Sequence, residues 1–138
     1  SGFFSDMKEF YPMAKSGRIY LFGDGNFRVN PIHGADLAKV CLDARSRSVK
    51  DLEVGGPEVL THQEIAQIAF EVANKPKKLS KIPDWVRKTL LKFGGLFLNK
   101  KQFGPVEFFL NVMAMDMATQ RFGKHTLRSF FQQLRTEN

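Results

Sequence analysis

A single cysteine, Cys41, in 138 residues excludes an internal disulfide and fits a reducing, cytoplasmic setting. No run of 18 apolar residues is present, so no membrane-spanning helix is expected. The chain starts Ser1-Gly2-Phe3-Phe4, without an initiator Met and without a basic region leading into an apolar one. That start predicts a segment of a longer protein rather than a secreted precursor. The three histidines, His33, His62 and His125, each lack a second ligand at metal-binding spacing, so no metal site is expected. There is no G-x-S-x-G, no P-loop and no G-x-G-x-x-G. Gly23-Asp24-Gly25 and Gly55-Gly56 are too short to cradle phosphate and read as turns. No repeat or low-complexity tract interrupts the chain, and no catalytic residue stands out.

What is present is an ordinary apolar fraction of 43%, with fourteen Phe, enough for one domain with its own core. Asn30-Pro31-Ile32-His33-Gly34 reads as an extended entry and a bend, followed by a helix over 35–45. Leu37, Val40, Cys41 and Ala44 would form its apolar face, with Cys41 a core packer, and Asp36 would sit in its first turn. A helix over 5–15, with Asp6 and Glu9 as a weak capping box, should kink or split at Pro12. Arg18–Phe22 is a strand candidate, and Phe27–Asn30 is expected to run back along it. Leu52–Val54 reads as a short strand and Leu79–Ile82 as an edge strand.

Thr61 and Glu64 form a capping box that opens a helix with Ile65, Ile68, Ala69 and Val72 as its buried stripe. It should end near Asn74, with His62 exposed at its start. Further helices are predicted from Asp84, from Pro105 to about Met117, and around Leu127, Phe130, Phe131 and Leu134 with Thr126 as N-cap.

Charge is unevenly spread. Residues 75–138 hold 13 of the 21 basic residues and 4 of the 14 acidic ones. The excess is densest in 75–101, where Lys88, Lys92, Lys100 and Lys101 mix with Trp85, Leu90 and Phe93. A basic amphipathic helix of this kind either closes a cleft or lies on an anionic membrane. Nucleic acid is not expected, because the lysines carry no recognisable binding motif. His33, in the bend before a helix, is where clefts form, although packing alone would account for it.

Three stretches resemble the C-terminal part of the extended and atypical short-chain dehydrogenase/reductase superfamily, which includes nucleotide-sugar epimerases and NmrA-like proteins. Ser1–Phe4 is similar to the loop after the sixth Rossmann strand. Phe22–Asn26 through Asn30–Ala38 is similar to the turn, extended entry and Asp-Leu-Ala helix. Val54–Thr61 with Glu64-Ile65-Ala66 is similar to the glycine turn and following helix. Gly123–Phe131 matches the ending of atypical members.

The resemblance implies an α+β, helix-rich substrate lobe with a few short strands, part of a Rossmann-type α/β protein. It would be one domain over 1–138, sheet-associated over 1–60 and mainly a helical cap over 61–138. It implies NAD or NADP in the full-length parent and none in this piece, because the superfamily's glycine motif and Tyr-x-x-x-Lys pair belong to an N-terminal half. Tyr11 and Lys15 have that spacing, but Pro12 breaks the helix they would need. Ser1, Gly2 and Phe3 would lie near the nicotinamide end of the cofactor in the parent, and Arg28, Asn30 and His33 in the substrate cleft. Val29 stands where many epimerases have an Arg for the pyrophosphate, which argues against a standard nucleotide-sugar substrate.

The implied partners are the missing Rossmann half, a small-molecule substrate, and a second copy through an open edge or apolar patch. The alternative is a non-catalytic module that docks on a membrane or partner through 75–101.

Overall fold

In a computed structural model, residues 2–47, 51–97, 104, 107 and 110–137 are described. Ser1, Lys100 and Lys101 lie outside the described residues. The expected 5–15 helix is split, but upstream of Pro12; Tyr11 and Lys15 share one helix, so the expectation that Pro12 would break it between them is incorrect. A 3-10 turn at Phe4–Met7 is followed by α1 at Phe10–Lys15, where Pro12 sits in the first turn and needs no donor. Asp6 does not pair with Glu9; its carboxylate reaches back to accept the Phe3 N–H at 2.7 Å.

The strands pair across long separations. β1 (Ile19–Phe22) lies parallel to β4 (Leu79–Ile82), with Ile19 opposite Leu79 and Phe22 opposite Ile82. β2 (Arg28–Val29) pairs antiparallel with β3 (Leu60–Thr61). The expected return of Phe27–Asn30 along β1 is therefore incorrect. Gly23 and Gly25 have positive φ, but the turn they form does not close a hairpin. Instead it docks on the third helix, where Gln63 N–H donates to Gly25 O and Gln63 Nε2 to Asp24 O. Leu52–Val54 is likewise not a strand; only Gly55 makes a bridge there, to Arg121. Those residues are exposed or half-exposed, so no buried face fixes a register for them.

The remaining helices are α2 (Gly34–Ser46), α3 (His62–Val72), α4 (Asp84–Phe97) and α5 (Leu127–Glu137). The segment from Gly104 is helical at its described positions and ends at Val112, short of the expected Met117. α3 forms where its capping box says it should. Thr61 Oγ1 accepts from Glu64 N–H at 3.2 Å, and Glu64 Oε2 accepts from Thr61 N–H at 2.7 Å. These bonds hold the Glu64 carboxyl below its ordinary range, the Thr61 backbone donor acting most strongly. Thr61→Ala removes the acceptor for one orphan N–H and should cost about 1 kcal/mol, read as a lower urea midpoint with an unchanged slope. An unchanged midpoint would show the box to be idle.

The core gathers around α3. Ile65, Ala69 and Phe70 meet Ile19 and Leu21 of β1, together with Leu127 and Phe131 of α5, all buried. Tyr11 stacks on Phe131 at 6.4 Å and Phe4 lies 5.6 Å from Phe130, so the first and last helical segments share one interior. Thr126 caps α5 by accepting from Ser129 N–H at 3.2 Å.

Two expected burials are reversed. His62 is buried, with Nε2 lacking a hydrogen-bond partner, and this burial lowers its pKa. Thr61 ends β3 and caps α3 at once, so the chain turns against the sheet and carries the next side chain inward. Cys41 is exposed. On α2 only Asp36 is buried, while Leu37, Val40 and Ala44 are half-exposed and Leu42 is exposed. The Val40–Ala44 side of α2 opens onto a cavity of about 450 Å³ lined by Val40, Ala44, Arg47, Leu52 and Phe122. A helix with this apolar stripe ordinarily covers a sheet.

Candidate functional site

The sequence-predicted residues converge at the N-terminus of α2. Phe3 and Ile32 form a parallel bridge: Ile32 N–H donates to Gly2 O at 2.9 Å and Phe4 N–H to Ile32 O at 3.2 Å. Gly2 and Phe3 are thereby brought beside the entry to His33. His33 is the N-cap of α2, its Nδ1 accepting from Ala35 N–H at 3.2 Å. A neutral His33 that accepts at Nδ1 carries its proton on Nε2. The ring meets Phe4 edge-on at 5.6 Å and stacks on His125 with centroids 4.3 Å apart.

Behind this stack lies Asp36. One carboxylate oxygen accepts Lys124 N–H at 2.9 Å and His125 N–H at 3.0 Å, and the other lies 2.9 Å from His125 Nδ1. Burial pushes the Asp36 pKa up, but the two backbone donors and the His125 side chain outweigh it and hold the group at about 2. Gly123, at φ +82, lets the chain approach this closely, since a Cβ there would overlap the carboxylate. The buried carboxylate thus lies against His125, whose ring stacks on His33.

Arg28 and Asn30 are placed elsewhere. The Arg28 guanidinium is exposed, 3.5 Å from Asp116, whose carboxylate also accepts the Arg28 N–H at 2.6 Å. Asn30 is fully buried. Its Nδ2 donates to Gly56 O at 3.2 Å and Thr119 O at 3.0 Å, and its Oδ1 accepts Thr119 N–H at 2.9 Å. Among the described residues no group of three or more His, Cys, Asp or Glu could hold a metal ion. The Asp36–His125 contact was not legible in sequence: 89 residues separate the pair, and neither sits in a spaced motif.

The fold is α+β with few strands and corresponds to part of a Rossmann-type architecture. No protein-family model matches the chain. In sequence it is 27% identical, over a 158-position alignment, to divinyl chlorophyllide a 8-vinyl-reductase of Zea mays, covering 97% of this chain and 39% of that protein. It is 28% identical over 93 positions to NADH dehydrogenase [ubiquinone] 1 alpha subcomplex subunit 9 of Arabidopsis thaliana, covering 64% of this chain and 23% of the relative. In structure it is similar to a GDP-6-OMe-4-keto-L-xylo-heptose reductase from C. jejuni, with a TM-score of 0.52, 14% identity, and 89% of this chain and 35% of that one covered. The chain thus spans well under half the length of these proteins. It resembles the short-chain dehydrogenase/reductase superfamily, as its glycine turns and Asp-Leu-Ala helix indicate.

Proposed function

We propose that these residues form the substrate-side lobe of an NAD(P)-dependent reductase or epimerase-like protein, lining a cleft and excluding water rather than catalysing alone. The observation that carries this is the parallel Phe3–Ile32 bridge running straight into α2, a helix that buries nothing but Asp36. Parallel pairs belong to sheets covered on both faces by helices. A bridge of one residue pair followed by a helix with an open apolar side is the margin of such a sheet, and a dinucleotide-binding half would supply the rest. Gly2 and Phe3 then face the nicotinamide end and His33 belongs to the cleft wall, whereas Asn30 is buried against the Gly56 and Thr119 backbone and Arg28 pairs with Asp116. His125, packed against Asp36 and stacked on the His33 ring, joins it on that wall.

The chain's own glycine turns do not fit a dinucleotide. Gly23–Gly25 is closed by Gln63, and Gly55–Gly56 by Asn30 and Pro31. Its phosphates would be held outside these 138 residues.

The test is titration with NADPH, followed by its fluorescence. We expect no enhancement with the 138 residues alone, and saturable enhancement with the same residues joined to their upstream dinucleotide-binding half. Saturable binding by the 138 residues alone would overturn the reading.

A further inference from the structure

The exposed side of α4 has chemistry that the substrate-lobe reading leaves unused. Trp85, Thr89 and Phe93 recur every four residues and so lie along one line of the helix, with Val86 and Leu90 beside it. Trp85 is 67% exposed, Leu90 47% and Phe93 46%, values that place these three large apolar side chains in water rather than in the core. Lys88 and Lys92, both exposed, form the adjoining row, and Lys92 Nζ sits 5.5 Å from the Phe93 ring centroid. Residues 75–97 hold seven basic side chains and one acidic one, Asp84. Asp84 is engaged by Arg87 at 2.6 Å and Lys88 at 3.0 Å and offsets one of the seven basic charges. No helix among the described residues is long and apolar enough to cross a membrane.

We infer that α4 docks this protein on an anionic lipid surface, lying in the interface plane with Trp85 and Phe93 at headgroup depth and Lys88 and Lys92 against lipid phosphates. The charge pattern selects this occupant over a protein partner. Buried protein interfaces are depleted of lysine at their centres, whereas here a lysine row borders the apolar row along its length. At a bilayer the same pairing is favourable, because lysine stems reach past the apolar row to the headgroups. Apolar burial and cationic attraction act together, as stable peripheral attachment requires.

Trp85 is the chain's only tryptophan and therefore reports on its own site. The experiment adds vesicles of phosphatidylcholine, with and without about one part in three of phosphatidylserine, to the whole chain, recording Trp emission and co-sedimentation. With phosphatidylserine the emission should move to the blue, become shielded from iodide, and revert in high salt. Without it, little should change. The double variant Lys88→Glu/Lys92→Glu should bind at least about 30-fold more weakly, the loss expected from removing two cations near a charged bilayer before any repulsion of the new carboxylates. Phe93→Ala should weaken binding with the salt dependence retained.

Leu42→Glu, on the exposed face of α2 away from Val40 and Ala44, should leave binding unchanged while circular dichroism shows every variant folded. Unshifted Trp emission in phosphatidylserine vesicles overturns the inference. So does an equal loss in Leu42→Glu, which would show general stickiness rather than a docking face. Because no dinucleotide is involved, this outcome is independent of the NADPH titration.

Discussion

Gly56→Ala should abolish cooperative folding or lower stability by about 4 kcal/mol or more, the range reserved for a backbone forced out of contact. A Cβ at Gly56 would overlap the Pro31 carbonyl oxygen, with the Ile32 Cα also inside ordinary contact distance, at 3.2 Å. These are backbone atoms, so no rotamer change relieves the clash. The segments must separate, and the Gly56 N–H bond to Asn30 O, at 2.7 Å, goes with them. Asn30 then loses its grip on Gly56 and, through the displacement, on Thr119. Buried polar groups left without partners cost about 1–3 kcal/mol each. Gly34→Ala is the control. Nothing lies within 4 Å of a Cβ there and its φ is not positive, so the substitution should be neutral or stabilising by about 0.4–1 kcal/mol. Urea unfolding of both variants decides the matter; a Gly56→Ala protein as stable as the parent would mean the loops can part freely.

The second large effect is expected at Asp36. Asp36→Ala strips the acceptor from Lys124 N–H and His125 N–H and releases the His125 ring, which should cost about 3–5 kcal/mol. The same carboxylate gives the protein an acid limit. Its native pKa of about 2 lies below the ordinary 3.8, so the unfolded chain takes up the proton first as pH falls. The resulting stabilisation, about 2 kcal/mol, is fully present above roughly pH 4–5 and is lost as pH drops through 2. A plot of stability against pH should therefore fall over this acid window for the parent. In Asp36→Asn it should be flatter by that amount. Parallel curves for the two proteins would show that the group is not held as described.

The helices were legible because their signals are local. The Thr61–Glu64 box and the Leu127–Leu134 stripe each lie within one or two turns of chain. Strand pairing was not legible. β2 and β1 are joined by a turn with positive-φ glycines, the usual sign of a hairpin, yet Gln63 captures that turn and each strand takes a distant partner. The α2 stripe of Leu37, Val40, Cys41 and Ala44 is apolar in sequence, but periodicity does not say what covers it, and Cys41 is exposed. Of the candidate site, His33 was visible from its place in a bend. His125 was not, because its part depends on Asp36 reaching across 89 residues of sequence.

The aromatic contacts between Phe4 and Phe130, and between Tyr11 and Phe131, set a schedule for the chain's synthesis. Phe4 and Tyr11 meet these two partners only after Leu127–Glu137 has been made, so this part of the interior closes late. A stop codon placed a few residues before Leu127 should yield not a smaller domain but an aggregating chain.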